Sequence, residues 1–265
     1  MTNIHPTAII DQKSKIGKNV QIGPFCVIGA NVELGDNVIL KSHVVIDGHT
    51  AIGSGTEIFP FASIGLAPQD KKYAGEESKL SIGKNNIIRE YVTINPGTKG
   101  GGMVTNVGDN CLLMIGCHVA HDCKIGNHVI MANNATLAGH VEIGDYAILG
   151  GLSAVHQFVR VGMHAMIGGM AAIEGDVIPY GIALNERASL VGINLVGLKR
   201  RDFERDNIMA IKKAYEILFE GEMGKNFAEK IEQVANIYQG NADVMKLVEF
   251  LKIDTTRAIC KPKNS

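Results

Sequence analysis

Four of the nine histidines, His118, His121, His128 and His140, fall close together along the chain, with Asp122 directly after His121. A neutral imidazole suits proton removal near neutral pH, and a neighbouring carboxylate can hold its ring in one tautomer. Gly139 stands eighteen residues after His121, and Gln157 eighteen after that. His140 is likewise eighteen residues after Asp122. If the backbone repeats with that period, Gly139 lies one level above His121, and its N–H is an oxyanion donor beside a base. The plainer reading is a set of polar corner residues facing solvent. His118 and His121, three apart, also have a spacing that a zinc ion can use together with a third histidine. The glycines at 100–102 do not join a strand to a helix, so they make a poor phosphate cradle.

An eighteen-residue period is indeed present, as three units of six. Aliphatic residues recur without a miss from Ile10 through Ile16, Ile22, Ile28, Leu34, Leu40, Ile46, Ile52 and Ile58 to Ile64. The phase returns at Ile82, Ile88 and Ile94, shifts by thirteen, and then holds for twelve residues at the same spacing from Val107 to Ile173. The position two before each aliphatic is small or β-branched, as at Val20, Cys26 and Ala62. Gly often follows the aliphatic (Gly17, Gly23, Gly29), and Asn often stands three after it (Asn19, Asn37). Both residues tolerate positive φ and suit tight corners. Each unit is therefore a short strand plus a corner, and three units close one triangular coil. The fold class is a mainly β protein, a parallel β-helix, with the aliphatics inside. A core of small and aliphatic side chains explains why Trp is absent and Gly reaches 31.

Residues 65–79 and 95–106 break the period. Both are polar and rich in Gly or Pro, so they are expected as loops expelled from the coil, where repeat proteins often bind ligands. The repeat fades near Pro179. From about residue 192 the period is helical, with apolar faces at Ile208–Phe219, Phe227–Tyr238 and Val244–Leu251. The expected organisation is a β-helix over 1–190 and a helical domain of three helices over 191–265, with a tail from Lys252 that frays. Cys26, Cys111, Cys117 and Cys123 all occupy the small inward slot, which reads as core; an odd count of five without C-x-x-C argues against disulfides.

Composition excludes several classes. A net charge of −1 argues against a general nucleic-acid binder. No apolar run is long enough for a membrane span, and the start of the chain lacks the pattern of a secretory signal, so the expected location is cytoplasmic. The segment from Val191 carries 13 basic and 11 acidic residues, the rest 13 and 16, so the basic surface belongs to the helical part.

The stretch HVAHDCKIGNHVIMANNATLAGHVEIGDYAILGGLSAVHQF, from His118 to Phe158, resembles the UDP-N-acetylglucosamine O-acyltransferases of lipid A biosynthesis. The resemblance extends to IHPTAII, IGPFCVIG, LKSHVVIDGHT, FASIGLAPQDKKYAGE and GLKRR, nearly the whole chain. It implies a left-handed β-helix and a homotrimer with active sites between subunits. It implies transfer of a 3-hydroxyacyl chain from acyl carrier protein to the 3-hydroxyl of UDP-N-acetylglucosamine, with no metal and no cofactor beyond the phosphopantetheine on the carrier. His121 then matches the catalytic base, with Asp122 beside it, and Gly139 the oxyanion glycine. Gln69, Asp70, Lys72, His118, His140, His156 and Gln157 match sugar and phosphopantetheine contacts. Asn194, Arg200 and Arg201 match nucleotide contacts. Two positions depart from the pattern: Val196, where relatives often carry Glu, and Arg187, where relatives can carry His.

Gly169 matches the family's stop for the end of the acyl chain. It lies 48 residues, or two and two-thirds coils, beyond His121. That is roughly 13 Å along the axis, room for about ten carbons before the stop. A glycine leaves the groove open past that point, so the expected donor has about twelve to fourteen carbons. The alternatives are a related acyltransferase of 3-amino sugar nucleotides and a zinc-dependent, carbonic anhydrase-like β-helix.

Overall fold

The computed structural model describes residues 1–220 and 225–263. From Asn3 to Ile173 the chain winds as a left-handed, three-sided parallel β-helix. Its three faces are sheets of eleven, nine and eight strands. Most strands are two residues long, and each pairs in parallel with its copy eighteen residues away: Gln21 with Ile39, Val27 with Val45, Lys124 with Glu142. The usual right-handed crossover arises because a twisted strand feeds a helix that must pack back on the sheet. Here each crossover is a bare corner between strands too short to twist, and that cause is absent.

The aliphatic series is the core, and Ile28, Ile46, Ile64, Ile94, Leu137 and Leu149 are essentially inaccessible. The inward slot two positions earlier is filled by small residues such as Val44, Ala62 and Cys117. Burial pushes the thiols of Cys111 and Cys117 up to about 11 and that of Cys123 up to about 12, so these cysteines are inert core groups.

The corners divide their labour differently from the sequence expectation. Positive φ falls on the residue three after the aliphatic, as at Asn19, Asn37, His43, Phe61, Asp122 and His140. The glycine directly after the aliphatic mostly keeps ordinary φ. It is required for space: a Cβ on Gly53 would lie 2.5 Å from the backbone of Gly83 one coil on. The left-handed positions tolerate large rings because those rings stack along the edges. One edge carries Phe25, His43, Phe61 and Tyr91. Another carries His128, Tyr146, His164 and Tyr180.

Both insertions leave the same edge. The first lies between Ser63–Ile64 on the nine-stranded face and Lys79–Ile82 on the eight-stranded face. The second lies between Thr93–Ile94 and Val104–Val107 on the same two faces. Pairing across them stretches from eighteen residues to thirty for Ile64 with Ile94 and to twenty-five for Ile94 with Val119, while the register is kept. Lys79 and residues 104–106 belong to strands, because the ladder extends to four pairs there.

After Ala172–Ile173 the eleven-stranded face ends in an antiparallel pair, Gly181–Leu184 with Ser189–Ile193. Four helices follow: α1 (Leu195–Arg200), α2 (Arg205–Tyr215, continuing as a π-helical turn Glu216–Glu220), α3 (Phe227–Ile237) and α4 (Ala242–Lys252). The short α1 is additional to the three expected. Its single buried side chain, Leu198, gives no apolar period to read. α3 opens with a reciprocal capping box between Asn226 and Glu229.

The segment after α4 is docked on the β-helix. Asp176 pairs with Ile259, Arg160 and Asp176 form a buried ion pair 2.8 Å apart, and Thr255 donates to the same carboxylate. The Arg160 guanidinium also lies 4.1 Å over the Phe250 ring of α4. The fraying expected from Lys252 onward is not found among the described residues, because partners more than 70 residues away hold this segment and leave no local pattern.

Candidate active site

The two expelled loops meet at the edge between the nine- and eight-stranded faces, where His118–Val119 runs into the corner that bears His121 and Asp122. Asp122 adopts φ of 60°, which turns its carboxylate back under the coil. That carboxylate is fully buried. It accepts N–H bonds from Thr98 at 3.0 and 3.1 Å and the Thr98 hydroxyl bond at 2.6 Å. It lies 2.8 Å from His121 Nδ1. A carboxylate already supplied with donors keeps its charge, so Nδ1 of His121 carries the proton and Nε2 presents its lone pair. The carboxylate nearest Nε2 is Asp70, from the first loop, at 3.9 Å, beyond hydrogen-bond range.

Gly139 lies over this ring. A Cβ there would sit 2.5 Å from His121 Cε1 and 2.6 Å from Nε2, so glycine is the residue that fits. Its neighbours Ala138 and His140 donate their N–H groups to Val155 and His121 carbonyls, whereas no acceptor faces the Gly139 N–H among the described residues. The His140 ring stands edge-on to His121 at 5.0 Å and stacks on Phe158 at 4.4 Å. Burial holds the His140 imidazole below its ordinary pKa. His118 is lowered too, by burial and then by the proximity of His121, and its Nδ1 is 2.7 Å from Thr93 Oγ1. Both rings thus favour the neutral form.

The remaining expected residues separate into groups. Asp70 reaches the His121 corner, while Gln69 and Lys72 flank it on the exposed first loop, where the Asp70 carboxylate accepts the Lys72 N–H. His156 and Gln157 are exposed two coils above His121. There Arg257 donates to His156 Nδ1 at 2.6 Å and to the Gln157 carbonyl at 2.9 Å. Asn194, Arg200 and Arg201 lie elsewhere, at the edge between the eight- and eleven-stranded faces. Asn194 is buried and caps α1, and its amide donates to the His164 carbonyl. Arg201 donates to the Tyr146 carbonyl, and Arg200 is exposed. Gly169 is on the third edge, beside exposed Met170 and Leu152. Val196 and Arg187 are both exposed, on α1 and in the terminal hairpin turn.

Ligand-type atoms of His121, Asp122 and His140 lie within 4.8 Å of one another. His118 is not part of that group, so the His118–His121 zinc pairing is not assembled. Thr98 and Arg257 carried no sequence signal, since their partners are 24 and 101 residues away. Only the insertion that carries Thr98 was visible.

A left-handed hexapeptide coil with a histidine–carboxylate pair at a corner defines a hexapeptide-repeat transferase. The bacterial transferase hexapeptide family matches residues 13–48 and 105–139, and the second domain of UDP-N-acetylglucosamine O-acyltransferase matches residues 176–260. The acyl-[acyl-carrier-protein]–UDP-N-acetylglucosamine O-acyltransferase of Rickettsia felis is 56% identical, over 98% of each chain. That of Rickettsia canadensis is 54% identical, over 98% of this chain and 97% of its own. A crystal structure of UDP-N-acetylglucosamine acyltransferase from Francisella novicida superposes with a TM-score of 0.94 at 41% identity, covering 98% of this chain and 95% of that one. The chain belongs to the UDP-N-acetylglucosamine O-acyltransferase family.

His164 offers a test of the edge that holds Arg201. Burial, followed by the charges of Arg201 and Lys246, lowers its pKa to about 4. The unfolded chain then binds a proton below about pH 6.5 that the folded chain refuses, so stability is lost as pH falls from there towards 4. His164→Phe, which keeps the ring stack, is expected to remove roughly 2 kcal/mol of the loss between pH 7 and pH 4.5. Urea unfolding at pH 7 and pH 4.5 measures it.

Proposed function

We propose that the chain transfers a 3-hydroxyacyl group from acyl carrier protein to the 3-hydroxyl of UDP-N-acetylglucosamine, the first step of lipid A synthesis, in the cytoplasm. The single observation that carries the mechanism is the His121 ring, held at Nδ1 by a buried carboxylate, with Nε2 free beside the Gly139 N–H. Nε2 takes the proton of the sugar hydroxyl as its oxygen attacks the thioester carbon. The tetrahedral oxyanion is met by the Gly139 N–H, rigid because the coil above and below is hydrogen-bonded. Collapse breaks the carbon–sulfur bond, and the imidazolium returns its proton to the departing phosphopantetheine thiolate. Asp122 stabilises the imidazolium throughout. Asp70, Gln69, Lys72, His118, His140, His156 and Gln157 surround the sugar and the pantetheine. The scheme uses no metal or cofactor: His121 moves the proton and the Gly139 N–H meets the oxyanion. Basic side chains of the helical segment suit an acidic carrier protein.

The distribution over edges favours a homotrimer. Asn194, Arg200 and Arg201 lie on a different edge from His121, and Gly169 on yet another. Three prisms around a threefold axis set unlike edges of neighbours together, and residues split within one chain then share one site. The arginines suit the diphosphate, whereas Asn194 already uses both amide atoms within the fold.

Gly169 suits an acyl groove because its surroundings crowd it little. Its φ is ordinary, and an added Cβ would meet only the Gly151 carbonyl oxygen, at a tight 3.3 Å; Gly151 has the same clearance from the Asn133 carbonyl. Between this edge and His121 the nine-stranded face turns out small side chains, Thr136, Ala154 and Ala172. The axial distance counted from sequence understates the path, which also crosses that face. Axial rise and face width together give roughly 20 Å, enough for a donor longer than ten carbons.

His121→Ala is expected to lower kcat by at least about a hundredfold, with the circular dichroism spectrum unchanged. Mass spectrometry of products from hydroxyacyl carrier proteins with UDP-N-acetylglucosamine or its 3-amino analogue checks both the reaction and the acceptor. Transfer only to the amine overturns the 3-hydroxyl assignment. Sedimentation equilibrium is expected to give about 85 kDa, three times the 28.4 kDa chain; a species near one chain mass contradicts the trimer. Gly169→Met is expected to move donor preference to shorter chains than the wild type accepts, and an unchanged length profile makes Gly169 an ordinary corner residue.

A further inference from the structure

Residues 97–103 do more than leave the coil. In an unbroken coil the corner below Asp122 would fall at Gly97. Instead the chain folds over the carboxylate. Gly101 and Met103 donate their N–H groups to the Thr98 carbonyl, closing a compact turn. Gly97 N–H donates to the Lys79 carbonyl and Lys79 N–H to the Met103 carbonyl, which fastens both ends of the turn to the neighbouring strand. A Cβ on Gly101 would lie 2.1 Å from Asp122 Cγ, so this backbone packs directly on the carboxyl group. Thr98 is itself 5% exposed and gives both its N–H and its O–H to Asp122. From the coil, Asp122 N–H donates to Thr105 Oγ1.

We propose that Thr98 is a positioning residue for catalysis: its hydroxyl, delivered by the inserted loop, sets the orientation of the Asp122 carboxylate and the charge on the oxygen that faces His121, and thereby the tautomer and placement of the His121 ring. The inference rests on His121 acting as the base. The hydroxyl and His121 Nδ1 share one oxygen, Asp122 Oδ2, at 2.6 and 2.8 Å. A donor to that oxygen withdraws charge from it. Without the hydroxyl, that oxygen carries more charge and holds an imidazolium more strongly, so the neutral base is lost at higher pH in the variant. The other titratable groups facing His121 are Asp70 at 3.9 Å, His140 edge-on and His118. None of them contacts Thr98, so the effect of its hydroxyl runs through Asp122.

The test compares Thr98→Val, which keeps the shape and the N–H donors, with Thr98→Ser, which keeps the hydroxyl, and with Thr98→Ala as a smaller variant should valine unfold the loop. Two measurements are made: the pH dependence of kcat/KM, and the imidazole 15N spectrum of His121. Expected for valine and alanine are a roughly tenfold lower kcat at neutral pH with KM little changed, and an acid limb moved about half to one pH unit upward. Expected for serine is near wild-type behaviour in both. In the wild type the spectrum shows a protonated Nδ1 and an unprotonated Nε2, with the imidazolium forming at higher pH in the valine variant. An unmoved acid limb together with an unmoved 15N titration overturns the proposal. The spectrum needs no turnover, so a wild-type chain that transfers no acyl group refutes the reaction while the Thr98–Asp122–His121 coupling is still judged.

Discussion

The structure depends on the backbone hydrogen bonds that join each short strand to its copy one coil away. They lock residue i over residue i + 18 at the strand spacing of about 4.8 Å. That spacing is too small for two side chains of ordinary size to face each other unless they stack, interlock or are absent. The aliphatic core interlocks, the edge rings stack in parallel, and the glycines after the aliphatics provide space where backbone meets backbone. Gly139 over His121 is one more case of the same constraint, placed where the close approach brings an N–H to an imidazole.

The same rigidity explains how a solvent-facing corner can hold a buried charge. A lone carboxylate taken out of water is strongly disfavoured. Asp122 remains charged because donors converge on it from a loop that leaves the coil one level below, and from His121. Elsewhere a corner N–H of the coil serves a carboxylate, as Lys18 does for Asp36 and Lys84 for Asp109, whereas at Asp122 the inserted turn supplies the donors. Both interruptions of the repeat leave from the edge that bears His121.

Family membership and local geometry agree in a particular way. The likeness to solved acyltransferases covers nearly the whole chain, yet one chain distributes the expected contacts over three edges of a prism. Asn194 and Arg201 are engaged with His164 and Tyr146 far around the perimeter from Asp122. The proposed trimer is the arrangement that would set those unlike edges of neighbouring copies side by side.

The hexapeptide period was legible in the sequence because each six residues obey the same local rule, and stacking repeats that rule without long-range choice. The pairing of His121 with Gly139 and of Asp122 with His140 followed by counting eighteen. The inward cysteines are equally local. Other features were decided only by the tertiary structure. The glycines turned out to be needed for clearance rather than for positive φ, which depends on what the next coil brings within 3 Å. The left-handed positions are filled by His, Phe and Tyr because rings one coil apart stack. Thr98 reaches Asp122, and Arg257 reaches His156, across insertions and helices whose geometry no period encodes. Periodicity fixes relations at constant separation along the chain; contacts made by segments that leave the period depend on where the loop or helix returns, and that is set by packing.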